Sequence, residues 1–100
     1  ELTDLNCSQA GIVQLAGIET FSALSGLKLS GNQIVNLEPL AALSQLTELH
    51  IDNNRIRDAS VLQRLEDLQI LKLSGNPDLR CDSIPRPRRR EPLDLPEQCR

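Results

Sequence analysis

Residues 48–52 read Glu-Leu-His-Ile-Asp, so two acids and an imidazole alternate with two apolar side chains. On an extended strand, alternate residues point to the same face, so Glu48, His50 and Asp52 share one. An acid beside a histidine suits proton transfer, and a hydroxyl within reach of the imidazole would add a nucleophile. The same donor types also suit a transition metal. Ser30 is the hydroxyl to weigh, since it falls 22 positions before Asp52. What this group can do depends on the elements that carry it.

Shifted by 22 positions, the chain lies on itself. Such self-similarity is the first thing to test, because a missed repeat mis-assigns the whole fold. Leu2, Leu24, Leu46 and Leu68 form one column, and Leu5, Leu27, Leu49 and Leu71 the next. Cys7, Leu29, Ile51 and Leu73 follow, then Ala10, Asn32, Asn54 and Asn76. The later columns, headed by Ile12, Leu15, Ile18 and Phe21, recur every three residues or so.

Each unit begins L-x-x-L-x-L-x-x-N-x-I. The L-x-L core has period 2, which is a short strand with both apolar side chains inward. The asparagine turns the chain; its amide can bond backbone groups inside the bend, and successive asparagines can stack as a ladder. The three-residue spacing that follows fits a 3₁₀ or irregular return. No turn buries its apolar edge alone, so the turns must stack. The predicted fold is an α/β solenoid with a short parallel sheet on its concave face and 3₁₀ or irregular convex returns.

These units resemble leucine-rich repeats. "LSGNQIVNLEPLAALSQL" and "IDNNRIRDASVLQRLEDL" are most similar to the 22-residue repeats of bacterial internalin-type proteins, with Asn36 and Asp58 where that group favours Asp. The resemblance covers residues 2–80 and implies a right-handed coil, protein ligands and a surface or secreted setting. It does not fix a biological role, because one fold hosts many functions.

Repeats starting near residues 2, 24, 46 and 68 make residues 1–80 the stack, close to the minimum for a stable solenoid. Residues 81–100 form a proline- and arginine-rich cap, in which Pro85, Pro87, Pro92 and Pro96 oppose regular pairing. That cap is expected as an extended cover and not a fifth unit, with Leu93 and Leu95 resting on the last turn. The chain begins inside its first repeat, as a processed protein or an excised domain would. Residues 1–80 carry 6 Lys/Arg against 10 Asp/Glu, so the stack does not recruit nucleic acid, which needs clustered cations. No apolar run reaches membrane-spanning length, and no membrane insertion is expected. "RPRRR" at 86–90 reads as a solvated loop, with a basic patch for an anionic partner as the alternative.

Cys7 holds an inward strand column and is expected to be free and buried. Cys81 and Cys99 are read as a disulfide pinning the cap, against the alternative of two unrelated thiols. Such a bond favours an oxidising, extracytoplasmic compartment; a reduced pair would favour a cytoplasmic scaffold. No cofactor or metal is implied.

The residues between the inward leucines face outward on the sheet in three columns: Asp4, Gly26, Glu48, Ile70; Asn6, Lys28, His50, Lys72; and Ser8, Ser30, Asp52, Ser74. Lys28 can pair with Glu48 or Asp52 across strands. An open sheet supplies no cleft and no oxyanion hole, so catalysis at His50 is not expected. Alternate strand residues lie about 6.5 Å apart, wide for one metal ion. The expected function is therefore non-enzymatic binding of a protein partner through Lys28, Glu48, His50, Asp52, Arg55, Ile70 and Lys72. The alternative is self-association as a homodimer through the N-terminal edge, where Leu2 opens the stack. With no Trp or Tyr, and Phe21 assigned to a core column, few side chains remain as interface anchors.

Overall fold

The computed structural model describes residues 1–85 and 94–100 of the 100-residue chain. Four strands, β1 (Asp4–Asn6), β2 (Gly26–Lys28), β3 (Glu48–His50) and β4 (Ile70–Lys72), form one parallel sheet in chain order. Leu5 stands opposite Leu27, Leu27 opposite Leu49, and Leu49 opposite Leu71, the register set by the 22-residue period. Strands of three residues do not stand alone; pairing between turns holds them. Outside the strands, Ser25, Thr47 and Gln69 donate their amides to Thr3, Ser25 and Thr47, each 22 residues back, at 2.8 Å.

The returns contain 3₁₀ turns at Ile18–Thr20, Glu38–Ala42 and Ser60–Arg64. Their geometry explains the apolar step of three. Leu40 donates to Leu37, Leu43 to Leu40 and Leu46 to Leu43, at 2.9–3.1 Å, and the same relay runs through Ala59, Leu62, Leu65 and Leu68. The residues that face the core are thus the ones whose amides are satisfied locally, three residues back. Leu40, Leu43 and Leu46 are fully buried, as are Leu24, Leu27 and Leu49. Each such leucine contributes roughly 1.5–3 kcal/mol by leaving water.

The buried asparagines staple one turn to the turn before it. Asn54 accepts the amide of Ile34 through Oδ1 at 3.1 Å. Its Nδ2 donates to Ile51 of its own turn at 3.1 Å and to Leu29 of the preceding one at 3.0 Å. Asn76 repeats the pattern with Ile56, Leu73 and Ile51, and Asn32 with Ile12, Leu29 and Cys7. The residue before each turn position, Gln9, Gly31, Asn53 or Gly75, has φ between 54° and 74°. Glycine is required at two of these four. A Cβ on Gly31 would press on Gln9, and one on Gly75 would overlap Asn53. Large and small residues therefore alternate along this left-handed column.

Two sequence expectations fail at the N-terminal end. Phe21 is 42% exposed, although Leu43 and Leu65 in its column are 0% and 3% exposed. Cys7 is free but only half-buried, not the buried core residue expected. Both belong to the first turn, whose outer side no described residue covers, and Leu2 at 43% exposure shares that condition.

At the other end Cys81 and Cys99 are joined, with Cα atoms 5.4 Å apart. Cys81 is exposed, and its neighbour Ser83 does the buried work. The Ser83 hydroxyl accepts the amide of Ala59 at 3.0 Å and donates to the Arg80 carbonyl at 2.6 Å. The cap is also more regular than an extended cover. Asp94 makes a parallel rung with Lys72, Leu95 packs on the core, and Gln98 donates to the Asn76 carbonyl at 2.9 Å. Asp94, Leu95 and Gln98 each lie 22 residues beyond their counterparts Lys72, Leu73 and Asn76. The prolines hide this register without abolishing it, because a single rung needs only one residue's amide and carbonyl. The "RPRRR" run and Leu93 lie outside the described residues.

Candidate binding face

The inward leucines of β2, β3 and β4 leave their flanking residues on the opposite face of the sheet, as the alternation requires. In β3 that places Glu48 and His50 two residues apart on one side, where His50 Nε2 meets Glu48 Oε2 at 2.7 Å. The imidazole is largely sheltered, with 13% of its side chain exposed, and Glu48 is more open. Lys28 and Lys72 flank His50 as its ladder partners on β2 and β4.

Asp52 makes a separate group. The Ser30 hydroxyl donates to Asp52 Oδ1 at 2.6 Å, and Asn53 Nδ2 donates to Oδ2 at 3.2 Å. The hydroxyl is thus engaged by a carboxylate, and no hydrogen bond links it to His50. The nucleophile–base contact that would make this cluster a hydrolytic centre is not assembled. Among the described residues, no group of three or more His, Cys, Asp or Glu side chains is gathered as a metal site. None of their helices is long and apolar enough to cross a membrane.

The expected pairing of Lys28 with Glu48 or Asp52 does not form. Those carboxylates accept instead from His50 and from Ser30 and Asn53. Lys28, Lys72 and Arg55 are exposed and make no ion pair with the described residues. Ile70, next to Lys72 in β4 but one, is 37% exposed on the same face. Asp94 joins the central column beside Lys72 but places its carboxylate on Ser74, whose hydroxyl donates to Oδ2 at 2.5 Å. Sequence reading missed Asp94 as a member of this face; adding 22 to Lys72 would have found it.

On the return side, Asn36 and Asp58 play equivalent parts. Asn36 Oδ1 accepts the Glu38 amide at 2.9 Å, and Asp58 Oδ1 accepts the Ser60 amide at 2.8 Å. Hydrogen bonds from the Ser60 side chain and amide, with a smaller contribution from the Arg80 charge, hold the Asp58 carboxyl below the usual carboxylate range.

Comparison with known proteins agrees with this geometry. A family profile described as leucine-rich repeats (2 copies) matches residues 22–64. The structure of the internalin InlF from Listeria monocytogenes superposes with a TM-score of 0.72 at 39% identity, over 74% of this chain and 22% of that one. Internalin C2 of the same organism gives 0.69 at 31% identity, over 78% of this chain and 39% of the other. The InlJ functional domain, also from L. monocytogenes, gives 0.63 at 30% identity, over 78% and 19%. The chain thus spans between 19% and 39% of the length of these structures. No curated protein sequence matches it.

Proposed function

We propose that this chain, a leucine-rich repeat protein whose 22-residue repeats resemble those of the internalins, offers the outward face of its sheet to a protein partner. Domains of this kind generally serve as protein-interaction modules. The observation that carries the reading is a contrast within the strands. The inward columns hold Leu at almost every turn, whereas the outward ones change in size and charge from one turn to the next. Exposed Lys28, Arg55, Ile70 and Lys72 project from a backbone fixed by pairing between turns. Such a face can bind without first being ordered, which lowers the cost of association.

Residues 1–80 serve as the binding stack and residues 81–100 as its cap. The Cys81–Cys99 bond supports an extracytoplasmic setting, since such bonds persist in oxidising compartments. The likeness to Listeria structures supports a bacterial, secreted or surface role. The test is affinity capture by the immobilised chain, read by mass spectrometry. Lys28→Glu with Lys72→Glu should abolish capture with the melting temperature nearly unchanged. Reversing Arg57 and Arg64, on the return side, should leave capture intact. Equal loss from both pairs would defeat the assignment to the sheet.

A second reading rests on the other end of the molecule. Leu2 and Phe21 are each more than two-fifths exposed in the first turn, whose strand β1 pairs on one side only among the described residues. Unpaired strand edges over apolar ends are sites of chain-to-chain pairing. Self-association there is compatible with a free sheet face.

A further inference from the structure

We infer that the partner of the sheet face is an acidic protein segment, taken up by Lys28 and Lys72; this rests on the sheet-face reading above. The inference comes from an asymmetry between the two signs of charge. Each carboxylate of the outward columns already accepts a hydrogen bond from its own chain. Asp4 accepts from Thr3, Glu48 meets His50, Asp52 accepts from Ser30 and Asn53, and Asp94 accepts from Ser74. The cations of the same face, Lys28, Lys72 and Arg55 at the turn, have no such partner among the described residues. Even Asp94, beside Lys72 in the ladder, turns its carboxylate to Ser74.

The consequence is chemical. A basic ligand would meet carboxylates that already share their charge with donors of their own chain, and an acidic one meets donors that are free. The face is not strongly charged as a whole, so recognition acts at contact range and owes little to long-range attraction. Lys28 and Lys72 lie two strands apart, which by parallel-strand spacing is about 9.5 Å. An extended segment in the polyproline II conformation repeats its face every three residues, about 9.3 Å along its axis. Two acids at i and i+3 would therefore meet the two ammonium groups together, with His50 and Glu48 beneath the segment. Ile70 offers an apolar contact beside the Lys72 end. The expected ligand is Asp/Glu-x-x-Asp/Glu, with an apolar residue next to one acid.

The probe is a phage-displayed random dodecapeptide library, panned on the immobilised full chain with its disulfide intact. Parallel pannings use Lys28→Glu with Lys72→Glu, and Ile70→Asp. Melting curves confirm that each variant folds, as exposed positions allow. The native chain should enrich peptides with acids three residues apart, and the double reversal should lose them and enrich basic peptides instead. For one enriched peptide, Lys28→Ala and Lys72→Ala should each raise Kd about fivefold, the scale of an exposed ion pair. Non-acidic peptides that Ile70→Asp abolishes would overturn the acidic ligand and leave the sheet face standing. Peptides indifferent to all these changes would overturn both. A library yielding nothing that depends on this face overturns the inference as well.

Discussion

Asp94 is paired in parallel with Lys72, 22 residues before it, and its carbonyl accepts the amide of Leu73 at 2.7 Å. Asp94 also binds Ser74 as Asp52 binds Ser30, with hydroxyl-to-carboxylate distances of 2.5 and 2.6 Å. The period that spaces β1 to β4 therefore operates once more in the cap. A solenoid must satisfy the open edge of its last strand, and here one residue in register begins to do so. The Cys81–Cys99 bond closes a loop that contains both Ser83, whose hydroxyl accepts the Ala59 amide, and Asp94, which pairs with Lys72.

The cap makes the first expectation specific. Thiol counting on denatured, unreduced protein should find one free thiol, Cys7. Reduction should lower stability by about 3 kcal/mol, the scale expected for opening a loop of this size. Asp94→Ala should cost about 1–3 kcal/mol, as a charge-assisted hydrogen bond is lost. Urea titration reads both changes. Three free thiols would remove the disulfide and the case for an oxidising compartment with it.

Much of this architecture was legible in the sequence, for a reason the structure makes plain. Stacked turns force equivalent residues into equivalent environments, so a column such as Leu5, Leu27, Leu49 and Leu71 reports register directly. The ends were less legible. Phe21 matches its column in type but no described residue covers its outer side, and column identity alone does not reveal that. Asp94 matches Lys72 in register but not in type, and the surrounding prolines masked it. Outward residues were the least legible, because periodicity places Glu48 and Asp52 on the face but does not say that His50 and Ser30 occupy them.

The asparagine staples should show their role in a pair of substitutions. Asn54→Ala leaves the buried Ile34 amide without its partner and takes one of two asparagine donors from the Leu29 and Ile51 carbonyls, which keep Asn32 and Asn76, and should cost about 1–3 kcal/mol. Leu49→Ala, at a fully buried strand position, should cost about 2–5 kcal/mol. In a stack this short each should shift the whole unfolding transition, followed by circular dichroism. A change confined to one probe would show that the turns unfold separately.

Asp58 provides a pH test with a natural control. Its carboxyl is held below the usual range in the folded chain by Ser60, so folding favours the ionised form. That contribution is present in full above the unfolded carboxylate value of about 4 and is lost as pH falls below it, through the lower folded value. Asn36 makes the same contact to the Glu38 amide with no charge to titrate. Asp58→Asn should therefore keep the turn and flatten this part of the acid limb of stability. Denaturant midpoints measured between about pH 5 and pH 2 would show it. An unchanged acid limb would mean the Ser60 contact does not discriminate between the two protonation states.

The N-terminal end yields the last prediction. Leu2, Val13 and Phe21 are 43%, 56% and 42% exposed, and Leu5, Cys7, Ile12 and Ile18 are only partly buried. β1 uses one edge to pair with β2, and its other edge has no partner strand among the described residues. Two copies can meet there about a two-fold axis, with their first strands antiparallel, each covering the other's apolar end. Charge on Glu1 and Asp4 opposes this only weakly at physiological salt. Sedimentation equilibrium in a Cys7→Ala background should therefore show a concentration-dependent dimer, with no thiol available to form it covalently. Leu2→Lys in that background should be monomeric at every concentration, because pairing would bury the new ammonium. Since Leu2 is exposed, the variant should melt as the parent does when both are dilute. A parent chain that is monomeric at high concentration would dismiss the pairing and leave the first turn's apolar residues to some other cover.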